Sequence, residues 1–248
     1  PALPEHPMLV LLSTLAALAA PAPTNLTWDL TLGSQNVGTR SLAIRTEQTR
    51  DGTLRILQAD TAIKANFAGM QFSWRQKLTA NADLGPSSFI GVTNTSGQVS
   101  EIQGRRGAGG WIVSASTGGH ETWQEYDSDA IDLSSADLLD PDSTVPIARF
   151  ETARILSAET GQILTGTVEP LGPSEVDVSG TSVPVEGYIW KTEDGTARFF
   201  YTADGYLVRF ETKIMGKLIA GTLDKPPPRG PDEQPVALGT DGIQEVEL

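Results

Sequence analysis

Three stretches of this chain alternate apolar and polar residues at period two, and Asp-Gly pairs stand between strand-like runs. Leu26, Trp28, Leu30 and Leu32 interleave with Thr27, Asp29 and Thr31; Met70, Phe72, Trp74 and Leu78 interleave with Gln71, Ser73, Arg75 and Lys77. Tyr206, Val208, Phe210 and Ile214 do the same against Arg209, Glu211 and Lys213. Side chains of a strand point alternately to its two faces, so this period defines antiparallel strands with one face buried. Asp51-Gly52, Asp194-Gly195 and Asp204-Gly205 supply the positive φ that tight hairpins require.

Reading outward from those turns predicts strands over 26–33, 36–49, 53–66, 69–80, 87–95, 98–105, 110–117 and 120–126. After them come 148–157, 162–169, 175–190, 196–203, 206–214 and 217–223. So many strands do not lie flat in one open sheet. The expectation is an all-β protein with a large curved antiparallel sheet, either a half-barrel or a closed barrel. The pattern fails between Asp127 and Pro146, where Ser134 or Ser135 as cap, Leu138-Leu139 and the stop at Pro141 suggest at most one short helix near 134–140.

The 248 residues suit a single β domain, expected over 25–223. Met8 to Ala20 is apolar apart from Ser13 and Thr14, too short to span a bilayer, and ends in the small-x-small pattern Ala17-Leu18-Ala19 before Pro21. Residues 1–22 are therefore expected to be a signal peptide, cleaved near Ala19, with a soluble periplasmic or secreted product and no transmembrane segment. The Pro-rich, acidic stretch 224–248 reads as a disordered tail. A net charge of -13 repels phosphate backbones, which argues against nucleic acid as a partner. With no cysteine there are no disulfides, thiolate metal sites or thiol nucleophiles.

Catalytic chemistry finds little to stand on. His120 is the sole histidine beyond the leader, it sits in a turn-like Gly118-Gly119-His120-Glu121, and no Gly-x-Ser-x-Gly elbow occurs. Asp127, Asp129, Asp132, Asp137, Asp140 and Asp142 cluster in one segment but lack the spacing, turn glycine and closing glutamate of a calcium loop. Gly104 to Gly110 lacks the lysine and following helix of a phosphate cradle. No catalytic residue, metal ligand or cofactor is assigned. Glu121 and Glu125 leave a carboxylate-dependent hydrolase open as an alternative.

Aromatics carry the binding signal, with Trp28, Trp74, Trp111, Trp123 and Trp190 on separate predicted strands. A concave aromatic face forms an apolar cleft unless packing fills it. Phe72, Trp74 and Leu78 share one face of their strand and are the expected ligand-binding residues, with a lipid or another apolar small molecule as partner. A structural envelope protein with a filled core is the competing expectation.

The run Gly187-Tyr188-Ile189-Trp190, followed by Phe199-Phe200-Tyr201 through Asp204-Gly205-Tyr206 to Glu211, resembles exported bacterial proteins of the uncharacterised DUF3108 and DUF6134 type. Asn36-Val37-Gly38-Thr39 after the first strand is similar to their opening. Those families look like distant relatives of the LolA and LolB lipoprotein carriers. The resemblance implies an open, curved antiparallel half-barrel with an apolar lining and a carrier role. The missing cysteine departs from lipid-anchored LolB-like members.

Overall fold

A computed structural model describes residues 24–49, 52–67, 70–82, 86–143, 146–214 and 216–228. The first eight strands are β1 (Thr24–Leu32), β2 (Gln35–Thr49), β3 (Gly52–Phe67), β4 (Met70–Ala82), β5 (Pro86–Thr95), β6 (Gln98–Gly107), β7 (Gly110–Thr117) and β8 (His120–Asp127). The rest are β9 (Leu133–Ser134), β10 (Thr152–Leu156), β11 (Ile163–Val178), β12 (Thr181–Thr192), β13 (Gly195–Tyr201), β14 (Leu207–Ile214) and β15 (Lys217–Leu223).

All 15 strands belong to one sheet, antiparallel throughout except for the short parallel pair β9–β10. β1 pairs with both β2 and β15, so the sheet runs outward from its middle to free edges at β8 and β9. Those edges are consecutive in the chain. Leu133 follows Asp127 by six positions, and an extended chain of that length spans at most about 20 Å. The edges must therefore approach each other without pairing, and the sheet curls into an unclosed barrel.

The alternation read from the sequence is what builds the concave face. Leu26, Trp28 and Leu30 of β1 are buried while Asp29 is exposed; Trp74, Leu78 and Ala80 of β4 are buried while Arg75 and Lys77 face solvent. Each large side chain removed from water contributes about 1.5–3 kcal/mol, the main term holding so wide a sheet in its curl. A cross-strand glycine makes room where an aromatic lies flat: a Cβ at Gly221 would collide with the ring of Phe210, its partner on β14.

Two segments differ from the expected elements. The strand expected over 175–190 is divided by a hairpin at Ser179-Gly180, both at positive φ (52° and 83°). β11 instead runs back through Pro170 and Pro173 to Ile163. Proline ordinarily argues against a central strand, but β11 pairs with β10 only over Ile163–Thr167. Beyond that its outer flank has no partner strand among the described residues, and a register shift between Pro170 and Gly172 absorbs the kink. The segment expected to hold one short helix forms 3₁₀ turns at Asp137–Leu139, Pro141–Ser143 and Pro146–Arg149. There the Asp137 carboxylate turns back to accept from the Ser134 N–H (2.6 Å) and Oγ (2.9 Å), the reach-back bond of a helix start, and Pro141 ends the turn before an α-helix can form.

The expected leader over 1–22 lies outside the described residues, as does the expected tail beyond residue 228. At the start of that tail, the Asp224 N–H donates to the Thr27 carbonyl (2.9 Å) and its own carbonyl accepts from Ser179 Oγ (2.6 Å). No helix among the described residues is long and apolar enough to cross a membrane.

Candidate functional site

The register of β2 to β5 lays a polar row across the inner face of the sheet. Arg40 of β2 stands opposite Thr61 of β3, Thr61 opposite Gln76 of β4, and Gln76 opposite Thr93 of β5. A cation on that face is costly unless something answers it. Arg40 Nε donates to Thr61 Oγ1 (2.8 Å), and the guanidinium lies 4.7 Å from the centre of the Phe210 ring, a cation–π contact that exploits the space left at Gly221. Burial lowers its pKa to about 10, with Glu159 opposing the shift.

Glu159 arrives from the other half of the molecule. The turn between β10 and β11 folds into the concavity, where the Ala158 carbonyl comes so close to β5 that a Cβ at Gly91 would collide with it. Ser157 Oγ accepts from the backbone N–H of Glu159 (3.2 Å) and of Thr160 (3.2 Å), while Tyr126 OH donates to the Gly161 carbonyl (3.4 Å). Burial pushes the Glu159 carboxyl up from its ordinary range, and the Trp74 indole and Arg40 pull it partly back. Arg40 forms no ion pair with it, and the buried Trp74 Nε1–H approaches the carboxylate without closing a hydrogen bond of good geometry.

These groups bound a cavity of about 170 Å³ between β2–β4, the inserted turn and β12–β14. Its apolar wall includes Trp74, Leu78, Leu138, Trp190, Phe199 and Phe210. A shallower hollow of about 120 Å³ shares Leu164, Trp190, Ala197, Thr212 and Lys213 with it, so exposed Lys213 marks the way out to the surface. The 3₁₀ turns form part of the roof. Leu138 and Leu139 line the cavity, and the Leu138 carbonyl accepts from the buried Tyr201 OH (3.2 Å). Buried indole N–H groups normally find an acceptor, as Trp28 Nε1 does at the Leu207 carbonyl (3.0 Å). Trp74 and Trp190, both on the cavity wall, do not.

Of the residues expected to bind ligand, Trp74 and Leu78 line this cavity. Phe72 lies on the same strand, partly buried and packed against the core, but outside the lining. Arg40 and Glu159 went unnoticed. Arg40 had a signal, since it shares the parity of Leu42 and Ile44 on an otherwise apolar strand face; Glu159 sits in a turn with none.

The acidic segment has other uses. Asp132 forms a bidentate pair with Arg154 (2.7 and 3.0 Å), which holds its carboxyl below the usual range. Arg55 bridges Asp140 (2.8 Å) and Asp142. No group of three His, Asp or Glu side chains among the described residues is placed to hold a metal ion. His120, Glu121 and Glu125 are exposed along edge strand β8.

No family model matches the chain, and no curated protein matches it. Among solved structures, it is similar to a beta-barrel-like protein of the domain of unknown function DUF1849 from Brucella abortus, with a TM-score of 0.56 at 12% identity. The match covers 81% of this chain and 95% of that one. At that identity the likeness establishes the fold alone, a beta-barrel-like sheet.

Proposed function

We propose that this chain is a soluble extracytoplasmic binding protein or carrier that holds a small, largely apolar ligand inside its curled sheet. The observation that carries the proposal is the cavity: apolar on most of its wall, furnished with a few polar groups, and lined by Trp74 and Trp190, whose buried indole N–H groups have no acceptor. Ligand sites have this composition, whereas a core that only stabilises a fold is packed to exclude such voids and satisfies its donors. Extracytoplasmic residence is supported by the apolar run Met8 to Ala20 and its small-x-small end. The proposed kinship with DUF3108-type proteins and with the LolA and LolB carriers draws support from the same open, curved architecture.

The test is calorimetric titration with 1-hexanol, an uncharged apolar probe, on the wild type and on Ala197→Leu, which places extra carbon in the cavity from β13. One saturable site, weakened at least about tenfold by Ala197→Leu with the melting temperature held, supports the proposal. Absence of saturable binding in the wild type favours the filled-core envelope protein and refutes the carrier.

A further inference from the structure

We propose that the cavity selects amphiphiles carrying a carboxylate, with Arg40 and the Trp74 indole N–H as the anion site and Glu159 as the internal group that the ligand's carboxylate replaces. This deepens the carrier reading and rests on it. On a chain with a net charge of -13, this path is lined by two cations, Lys213 at the outer hollow and Arg40 in the cavity, against two carboxylates, Asp194 and Glu159. A guanidinium has five N–H donors, and Arg40 spends one of them, on Thr61. Arg40 lines the cavity, and no second hydrogen bond of its guanidinium is seen among the described residues.

Trp74 supplies a further donor, buried at 2% exposure and unsatisfied. A burial penalty on each of these groups persists in the empty protein and is relieved when an anion arrives. The molecule already brings one carboxylate to this place. Glu159 is held near Arg40 and Trp74 by the Ser157-anchored turn, forms no ion pair with Arg40, and stays there at a cost in desolvation. A ligand carboxylate that settles between Arg40 and Trp74 would make the contacts Glu159 leaves open. The volume of about 170 Å³ suits an alkyl chain of a few carbons, since a void of about 150 Å³ accommodates benzene.

The experiment compares hexanoate with 1-hexanol by calorimetry at neutral pH on the full chain, its Arg40→Met variant and its Glu159→Gln variant. Expected are hexanoate binding at least about tenfold tighter than hexanol, loss of that preference in Arg40→Met with hexanol affinity kept, and a severalfold gain for hexanoate alone in Glu159→Gln. Equal binding of the two probes, unchanged by Arg40→Met, overturns the anion site while leaving the carrier reading standing. If neither probe saturates, both fail. Where circular dichroism shows Arg40→Met unfolded, Glu159→Gln decides: no gain for hexanoate overturns the proposal.

Discussion

Replacing Asp137 with asparagine is expected to remove a pH dependence of stability that the wild type carries. Asp137 is 6% exposed beneath the cavity roof, and burial, reinforced by Asp140, pushes its carboxyl from 3.8 up to about 6 against the pull of the Ser134 hydrogen bonds and Arg106. The native state then keeps a proton over roughly pH 4 to 6 that the unfolded chain has released, so stability falls as pH rises through that window. Two units correspond to about 3 kcal/mol. Asp140 and Glu159, also raised by burial, add to the same slope; Asp132 and Glu211, lowered by arginines, contribute stability that is lost only toward the acid end. The wild-type-minus-variant difference isolates Asp137, because asparagine Oδ1 accepts the same two bonds from Ser134 without a charge. Urea melts from about pH 4 to about pH 7.5 are expected to show near-equal stabilities at the acid end and an advantage for Asp137→Asn of about 1–3 kcal/mol at the other. A variant less stable than the wild type by the same margin at every pH would refute the reasoning.

Arg55→Met is expected to destabilise by about 3 kcal/mol in a urea melt because it strands the buried Asp140 carboxylate, whereas Arg75→Met, which breaks an exposed pair with Asp60, leaves the melting temperature unchanged. Trp74→Phe is expected to cost about 1–2 kcal/mol less than Trp28→Phe, since only Trp28 gives up a satisfied buried hydrogen bond; equal losses in thermal melts would count against an orphaned donor at Trp74. Gly91→Ala, whose methyl meets the Ala158 carbonyl, is expected to unseat the inserted turn at a cost of about 1–3 kcal/mol and to speed proteolysis at residues 157–161.

The strands were legible because burial on one side writes itself into the sequence at period two, as in 70–78, and because Asp194-Gly195 and Asp204-Gly205 do mark hairpins. β11 was hidden by Pro170 and Pro173, whose tolerance depends on which flank of the strand lies unpaired, a fact of topology. The cavity was half legible. Trp74 and Leu78 stand out by alternation, but the carboxylate nearest in role to Arg40 comes from a turn 119 positions away in the chain, counting from Arg40 to Glu159, and local pattern carries no record of such an approach. The 3₁₀ turns were only partly legible, because Ser134 and Asp137 cap a helix start as their types allow while Pro141 leaves too few residues for an α-helix to follow.

Native mass spectrometry of the protein isolated from its own host puts the central claim to the most direct trial. The account predicts one small acidic molecule per chain, released on collisional activation and absent from Ala197→Leu. A wild type that flies only at the mass of its bare chain, and that takes up neither hexanoate nor hexanol when these are added, would contradict it.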